Sequence, residues 1–500
     1  MTKVLESING WVWGVPTLTL ILGVGLYLSF ATGFAQVRLF PKSLAAFAQK
    51  LKPGSKPQNG ISPFQALCTA LAATVGTGNL AGVAGAIALG GPGAIFWMWV
   101  CAFFGMITKF AEAALAVRYR ERESGGGYVG GPMYYIQNGL GRRWRPLASV
   151  YAFFGIVAAF GVGNATQINA LIGGVNAVKA YLGGQETETG NLLMGILLAV
   201  FIGVILLGGA KRIGRITEYL VPLAAVFYLL LGFGVLAVNC RAVPQAFSAI
   251  LRGAFSPQAV TGGLLGSSFQ ALRVGASRGV FTNEAGMGTA AIAHGAAEVS
   301  HPGEQGLMGI IEVFVDTIVI CTMTALVILC SGVPIPFGVD QGVALTTQAF
   351  AQVYGGWVCI PIALSLCCFA FSTVLGWGLY GARCAQYLFG KPVWKPFALL
   401  QSVTVIFGAV LGTGTVWLLS ETVNGLMAIP NLIALAVLCP EFARITRDYQ
   451  RNCKRPSGGT YENIHQRKSM RTVTYAEIPS SGSGGGEAGK KDLLSKHWTA

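Results

Sequence analysis

The sequence predicts an all-α polytopic membrane protein, and three observations carry that prediction. Of its 500 residues, 53% are hydrophobic and 11% charged, whereas an ordinary soluble domain carries roughly 25% charged residues. Apolar runs of about 20 residues, the length that crosses a hydrocarbon core, recur about eleven times. Basic residues gather in every second connector, as they do in cytoplasmic loops.

Taken in order, spans are expected near 14–33, 62–89, 92–117, 146–178, 190–209, 217–239, 260–296, 305–331, 357–385, 395–414 and 416–439. The first apolar run follows Pro16 and is long enough to span, so it reads as a retained helix rather than a cleaved signal. Segments 241–254 and 343–354 are apolar on one side and too short to cross, which suits external interfacial or lid helices. Residues 1–440 then form one transmembrane domain, and 441–500 a basic cytoplasmic tail. Beyond about 455 the tail is Gly/Ser-rich and too polar to bury a core, hence expected to be disordered.

Orientation follows from the connectors. Arg38, Lys42, Lys50, Lys52 and Lys56 occupy the first; Arg118, Arg120, Arg122, Arg142, Arg143 and Arg145 the third; Lys211, Arg212 and Arg215 the fifth; Arg383, Lys391 and Lys395 the ninth. The odd connectors are therefore cytoplasmic, with the N-terminus outside and the C-terminus inside. The seventh, with Glu298 and Glu304, is acidic where bases are expected, and Arg273 and Arg278 in the adjacent span are candidates to serve instead.

The net charge of +15 is spread over these connectors, so it argues for the membrane and against nucleic acid. The eleven cysteines are scattered through apolar stretches without C-x-x-C and read as small core residues. Gly275-Ala276-Ser277-Arg278-Gly279 fits a hydrolase nucleophile elbow, but it lies inside a span without a strand or a histidine partner. Gly125 to Gly130 fits G-x-G-x-x-G without a preceding strand, and no Walker A motif occurs. No enzyme chemistry is expected.

Two spans have their apolar pattern broken by glycine and small polar residues. The second contains Ala72 to Gly82, with Gly76, Gly78 and Asn79; the seventh contains Arg273 to Gly279. Unwound backbone at membrane depth must be satisfied by protein, water or an ion. Its carbonyls suit a cation, and the N-terminal end of the following half-helix suits a carboxylate. Close helix packing through small-xxx-small spacing is the competing explanation, and Gly78 and Gly82 fit it. Two breaks five spans apart favour a binding site at equivalent places in two repeats of opposite orientation.

Four stretches in order, Gly76 to Trp99, Gly130-Gly131-Pro132-Met133-Tyr134-Tyr135-Ile136, Thr282-Asn283-Glu284-Ala285-Gly286-Met287-Gly288, and Asn424 to Asn431, give the chain its resemblance to the alanine or glycine:cation symporter family. The match runs over nearly all of residues 1–450. The resemblance implies a leucine-transporter-like fold: the leading helix 14–33, then inverted five-helix repeats at 62–239 and 260–439. It also implies a multi-pass protein of a bacterial or archaeal plasma membrane that couples Na+ to uptake of alanine or glycine.

Carried over residue by residue, the resemblance implies sodium at the Ala72 and Val75 carbonyls and the Ser372 and Thr373 hydroxyls. Oxygen ligands suit a hard cation, although Ser372 and Thr373 could equally bond back to their own helix. Thr77, Gly78 and Asn79 would line the substrate's carboxylate end. Trp377, one turn beyond Thr373, reads as a wall limiting side-chain size, or else as a core aromatic. Asn164 and Gln167 share a face of the fourth span, as substrate contacts or as interhelical glue, with Gln167 the favoured contact. Phe269, Gln270, Gly275 and Ser277 are candidates from the seventh span. Among the acids in spans, Glu112 and Glu218 are candidates to pair with Arg118 and Arg215. Glu284, Glu312, Asp316 and Glu421 lie deeper, suited to proton coupling or to structural pairing.

Overall fold

The computed structural model describes residues 2–51, 60–123, 126–255, 268–410 and 414–452. The expectations for the tail beyond 452 and for the start of the seventh span lie outside these residues. Helix dominates the described residues, among which one short hairpin pairs Glu121–Arg122 with Tyr128–Val129.

The leading helix is Val15–Thr32, preceded by a short helix, Thr2–Val12. Nine helices among the described residues are long and apolar enough to cross a membrane, and a tenth crossing is the bent pair Pro63–Thr74 and Gly78–Gly90. The described part of the seventh expected span does not pass that test, so eleven crossings are not confirmed by length and composition. It is split into Ser268–Asn283 and Thr289–Gly295 and carries two arginines. Lid-sized helices occur at Val243–Phe255 and Val343–Tyr354, as expected.

The lipid-like solvent inverts the usual surface: Leu193, Phe201, Leu223, Leu230, Leu399 and Phe407 on spans five, six and ten are exposed. By contrast, the third span, Gly93–Arg118, is buried along most of its length. It packs against the seventh and eighth spans.

Local chemistry starts the second span. Ser62 Oγ accepts from Gln65 N and Gln65 Oε1 from Ser62 N, both at 3.0 Å, a reciprocal cap followed by Pro63 in the first turn. The helix then runs to Thr74 and stops, with Val75 extended at φ −77°, ψ 97°.

The second break is not where the sequence pattern put it. Helix Ser268–Asn283 runs continuously through Arg273 to Gly279. A Cβ on Gly275 would fall 2.2 Å from the Ala94 carbonyl oxygen, and one on Gly279 would fall 3.2 Å from Cys101 Cβ. These two glycines, four apart on one helix face, let the seventh span press against the third, so close packing explains them. The chain breaks one stretch later, at Glu284 to Gly288, where Glu284 (φ 53°), Gly286 (φ 91°) and Gly288 (φ 76°) are left-handed.

The two broken spans meet at one end. Ile61 pairs in parallel with Ala297, and Glu298 N donates to the Ile61 carbonyl at 2.9 Å. Arg120 of the third connector donates to the Ala297 carbonyl. Arg273 and Arg278 lie at the opposite end of the seventh span, near Leu89 and Trp13, so they do not serve the acidic seventh connector. Arg278 instead binds Glu421 at 3.0 Å and Asp340 at 3.3 Å.

Candidate functional site

The first break frees helix carbonyls, among them those of Ala72 and Val75. In a continuous helix Gly76 N would bond the Ala72 carbonyl, but it donates to Asn79 Oδ1 at 2.9 Å. Likewise Asn79 N, which would bond Val75 O, donates to Gly76 O at 3.3 Å. Val75 O instead faces the ninth span, where Thr373 Oγ1 lies 3.5 Å away. Ser372 and Thr373 both donate back to the Phe369 carbonyl at 2.9 Å. The self-bonding alternative therefore holds for both hydroxyls, and of the two only Thr373 reaches across to the break. A hydroxyl that donates its proton keeps lone pairs for a cation.

Gly76 is the hinge of this contact. A Cβ there would stand 2.8 Å from Thr373 Oγ1 and 3.3 Å from Gln167 Oε1, so only glycine lets the ninth and fourth spans close on the break. Gln167 accepts weakly from Thr77 N at 3.5 Å and donates to the Val162 carbonyl at 3.2 Å. Thr77 Oγ1 is buried without a hydrogen-bond partner among the described residues. Gly78 packs on Thr282, at the end of the helix that precedes the second break.

The second break is held by two carboxylates. Glu112 Oε1, from the third span, accepts from Gly286 N and Gly288 N at 3.0 Å each and from Asn431 Nδ2 at 2.7 Å. Gly288 is confined: a Cβ would sit 2.4 Å from Pro132 Cγ, in a backbone conformation that side chains avoid. Glu284 Oε1 accepts from Trp377 Nε1 at 3.0 Å, while Oε2 accepts from the Thr289 hydroxyl. The Glu112 pairing expected with Arg118 is not found; Arg118 binds Glu441 at 3.3 Å. Nor is Glu218 paired with Arg215 among the described residues; it accepts from Gln65 Nε2 at 2.9 Å.

Helix widening recurs here. Wide, π-type turns occur at Gly78–Gly82, Gly161–Ala165 and Phe314–Cys321, in spans two, four and eight. Such turns are frequent at functional sites. They present Asn79, Asn164 and Asp316, all fully buried.

The expected site residues do not all converge. Ala72, Val75, Thr77, Gly78, Asn79, Gln167 and Thr373 gather at the first break, with Ser372 beside Thr373. Trp377, fully buried, joins the second break and lies against Gly163, where a Cβ would meet its Cβ at 2.3 Å. Asn164 donates to the Gln401 carbonyl of the tenth span at 2.7 Å, the interhelical role. Gln270 and Ser277 line a separate cavity of about 320 Å³ with Asn9, Trp13, Arg273 and Glu421. Phe269 is exposed, and Gly275 faces Ala94. These four lie apart from the break, which comes further along the chain, at Glu284 to Gly288.

Sequence reasoning missed Glu284, Glu112 and Asp316 as parts of the two breaks. The usable signal was Asn283-Glu284-Ala285-Gly286-Met287-Gly288, a polar run with glycines two apart. Among the remaining acids, Glu312 is paired: Lys109 Nζ lies 2.8 Å from Oε1 and His294 Nε2 2.9 Å from Oε2, all fully buried.

Known proteins agree with this architecture. The chain matches the sodium:alanine symporter family over residues 1–462. It is 43% identical over 442 residues to the sodium/alanine symporter AgcS of Methanococcus maripaludis, covering 87% of this chain and 94% of that protein. The probable sodium/glutamine symporter GlnT of Bacillus subtilis is 37% identical over 462 residues, covering 91% and 92%. Among solved structures, MhsT in complex with L-phenylalanine superposes with a TM-score of 0.54 at 16% identity, covering 79% of this chain and 99% of that one, a likeness of fold alone. The fold is leucine-transporter-like, the family is one of multi-pass transporters rather than enzymes, and the chain belongs to the sodium:alanine symporter family.

Proposed function

We propose that the protein couples sodium entry to uptake of a small neutral amino acid, alanine or glycine, by alternating access. One observation carries the reading: at the first break the helix carbonyls of Ala72 and Val75 have lost their amide partners, and that of Val75 faces the Thr373 hydroxyl at 3.5 Å. Sodium takes those carbonyls together with Thr373 and Ser372. The substrate carboxylate takes the Thr77 to Asn79 stretch, whose amides open the following half-helix. Gln167 borders it, and Trp377 limits the side chain from the second break. The names of AgcS and GlnT support sodium coupling, and they differ in substrate. The buried tryptophan favours the smaller one.

Residues 62–239 and 260–439 act as inverted repeats behind the leading helix. The N-terminus is outside and the C-terminus cytoplasmic, on the basic odd connectors. The Ile61–Ala297 contact is then the cytoplasmic closure and the Arg278–Glu421 pair the outer one; transport opens them in turn.

The test is uptake of labelled alanine into vesicles of purified protein. Uptake driven by an inward sodium gradient supports the reading. Uptake indifferent to replacing sodium by potassium, or driven equally by a sodium-free pH gradient, overturns it.

A further inference from the structure

The two breaks are joined by an unbroken hydrogen-bond chain with one carboxylate at its centre. From the first break, Gly76 N donates to Asn79 Oδ1 at 2.9 Å, and Asn79 Nδ2 donates to Asp316 Oδ1 at 2.7 Å. From the second, Ala285 N donates to Asn283 Oδ1 at 3.0 Å, and Asn283 Nδ2 donates to Thr317 Oγ1 at 3.1 Å. Thr317 Oγ1 then donates to Asp316 Oδ2 at 2.8 Å. All the side chains in this chain are fully or almost fully buried.

Its direction is fixed at both ends. A backbone amide can only donate, so Gly76 and Ala285 orient the carbonyl ends of Asn79 and Asn283, leaving each side-chain NH₂ to point inward. Every donor therefore runs toward Asp316, and both of its oxygens are needed as acceptors. Only a carboxylate supplies two; an asparagine there would leave one arm facing a second donor. Asp316 and Asn79 both sit in wide helical turns, where a small change of winding moves the side chain across its helix face.

We infer that Asp316, through Thr317, is the positioning group that couples the two breaks, so that sodium held at the first orders the second, where Trp377 borders the substrate side chain, and thereby raises substrate affinity. This rests on the sodium-coupled reading above. Asp316 touches neither ligand in that reading: it acts by making the backbone of Gly76 and the backbone of Ala285 parts of one bonded unit. Ordering one break then lowers what the other must pay in conformational freedom.

The experiment measures alanine binding to purified protein in sodium and in potassium buffer, the ratio of the two affinities being the coupling. Couplings between sites are commonly roughly 5–150-fold. Asp316→Asn and Thr317→Val each reduce the ratio to within about twofold of unity, with alanine affinity in potassium little changed. The double variant is no worse than either single one, because both cut the same chain. Thr317→Ser keeps the hydroxyl and the wild-type ratio, which separates coupling from damaged folding even if Asp316→Asn does not fold. Variants that keep the wild-type ratio, losses that multiply in the double variant, or a Thr317→Ser protein as uncoupled as Thr317→Val overturn the inference. A wild-type protein whose alanine affinity ignores sodium removes the sodium-coupled reading, and this inference with it.

Discussion

Trp377 Nε1 donates to Glu284 Oε1 at 3.0 Å, tying a bulky side chain of the ninth span to the left-handed residue that opens the second break. The indole is thus held from two sides, by this bond and by its seat on Gly163. Trp377→Leu removes both supports and leaves space where a substrate side chain would lie. Uptake of leucine relative to alanine is expected to rise, with a stability loss of about 2–5 kcal/mol typical of large-to-small buried changes. Competition of unlabelled leucine with alanine uptake measures the first, and a melting curve in detergent the second. An unchanged ranking removes Trp377 from the substrate wall.

Thr373→Ala deletes the hydroxyl facing Val75 O and should leave the helix intact, since that hydroxyl otherwise only bonds back to Phe369. Loss of one ligand to a cation, about 1.5–3 kcal/mol for a bond to a charged group, corresponds to on the order of tenfold or more in half-saturating sodium. Uptake as a function of sodium concentration reads this directly. If the ranking of amino acids shifts while the sodium requirement stays, Thr373 belongs to the substrate.

Gly76→Ala should be more severe than its size suggests. The added methyl lands 2.8 Å from Thr373 Oγ1 and 3.3 Å from Gln167 Oε1, so it pushes both flanking spans off the break. Sodium-dependent binding is expected to fall at least about tenfold, or roughly 1.4 kcal/mol, without loss of folded protein. Calorimetric binding together with size-exclusion behaviour separates the two effects; wild-type binding would remove the break from the site.

Lys109 and Glu312 form a fully buried ion pair, with His294 on the second oxygen of Glu312. Removing one partner strands a charge, which costs about 3–5 kcal/mol in buried pairs. Lys109→Ala is therefore expected to lower the melting temperature sharply and reduce the yield of monodisperse protein. The Lys109→Met and Glu312→Leu changes together should be milder than either alone. Additive losses would show that the pair is not one unit.

Much of this was legible in the sequence. The first break followed from Gly76, Gly78 and Asn79 within an apolar span, because glycines there weaken the helix and the asparagine side chain supplies an alternative acceptor for Gly76 N. The second was misplaced because the seventh span holds two glycine clusters that look alike in one dimension. Gly275 and Gly279 pack against the third span, while Gly286 and Gly288 turn the chain, and the neighbour that distinguishes them, Glu112, is over 170 residues away.

Composition, span-length apolar runs and basic connectors by themselves determined that this chain is a helical membrane protein, since those properties depend on the local run of residues and the solvent they meet. Which glycines break a helix, which carboxylate receives which amides, and which acids pair with a base were decided only by tertiary structure. Those outcomes depend on side chains brought together from distant spans, where the cost of an unsatisfied buried group selects one arrangement.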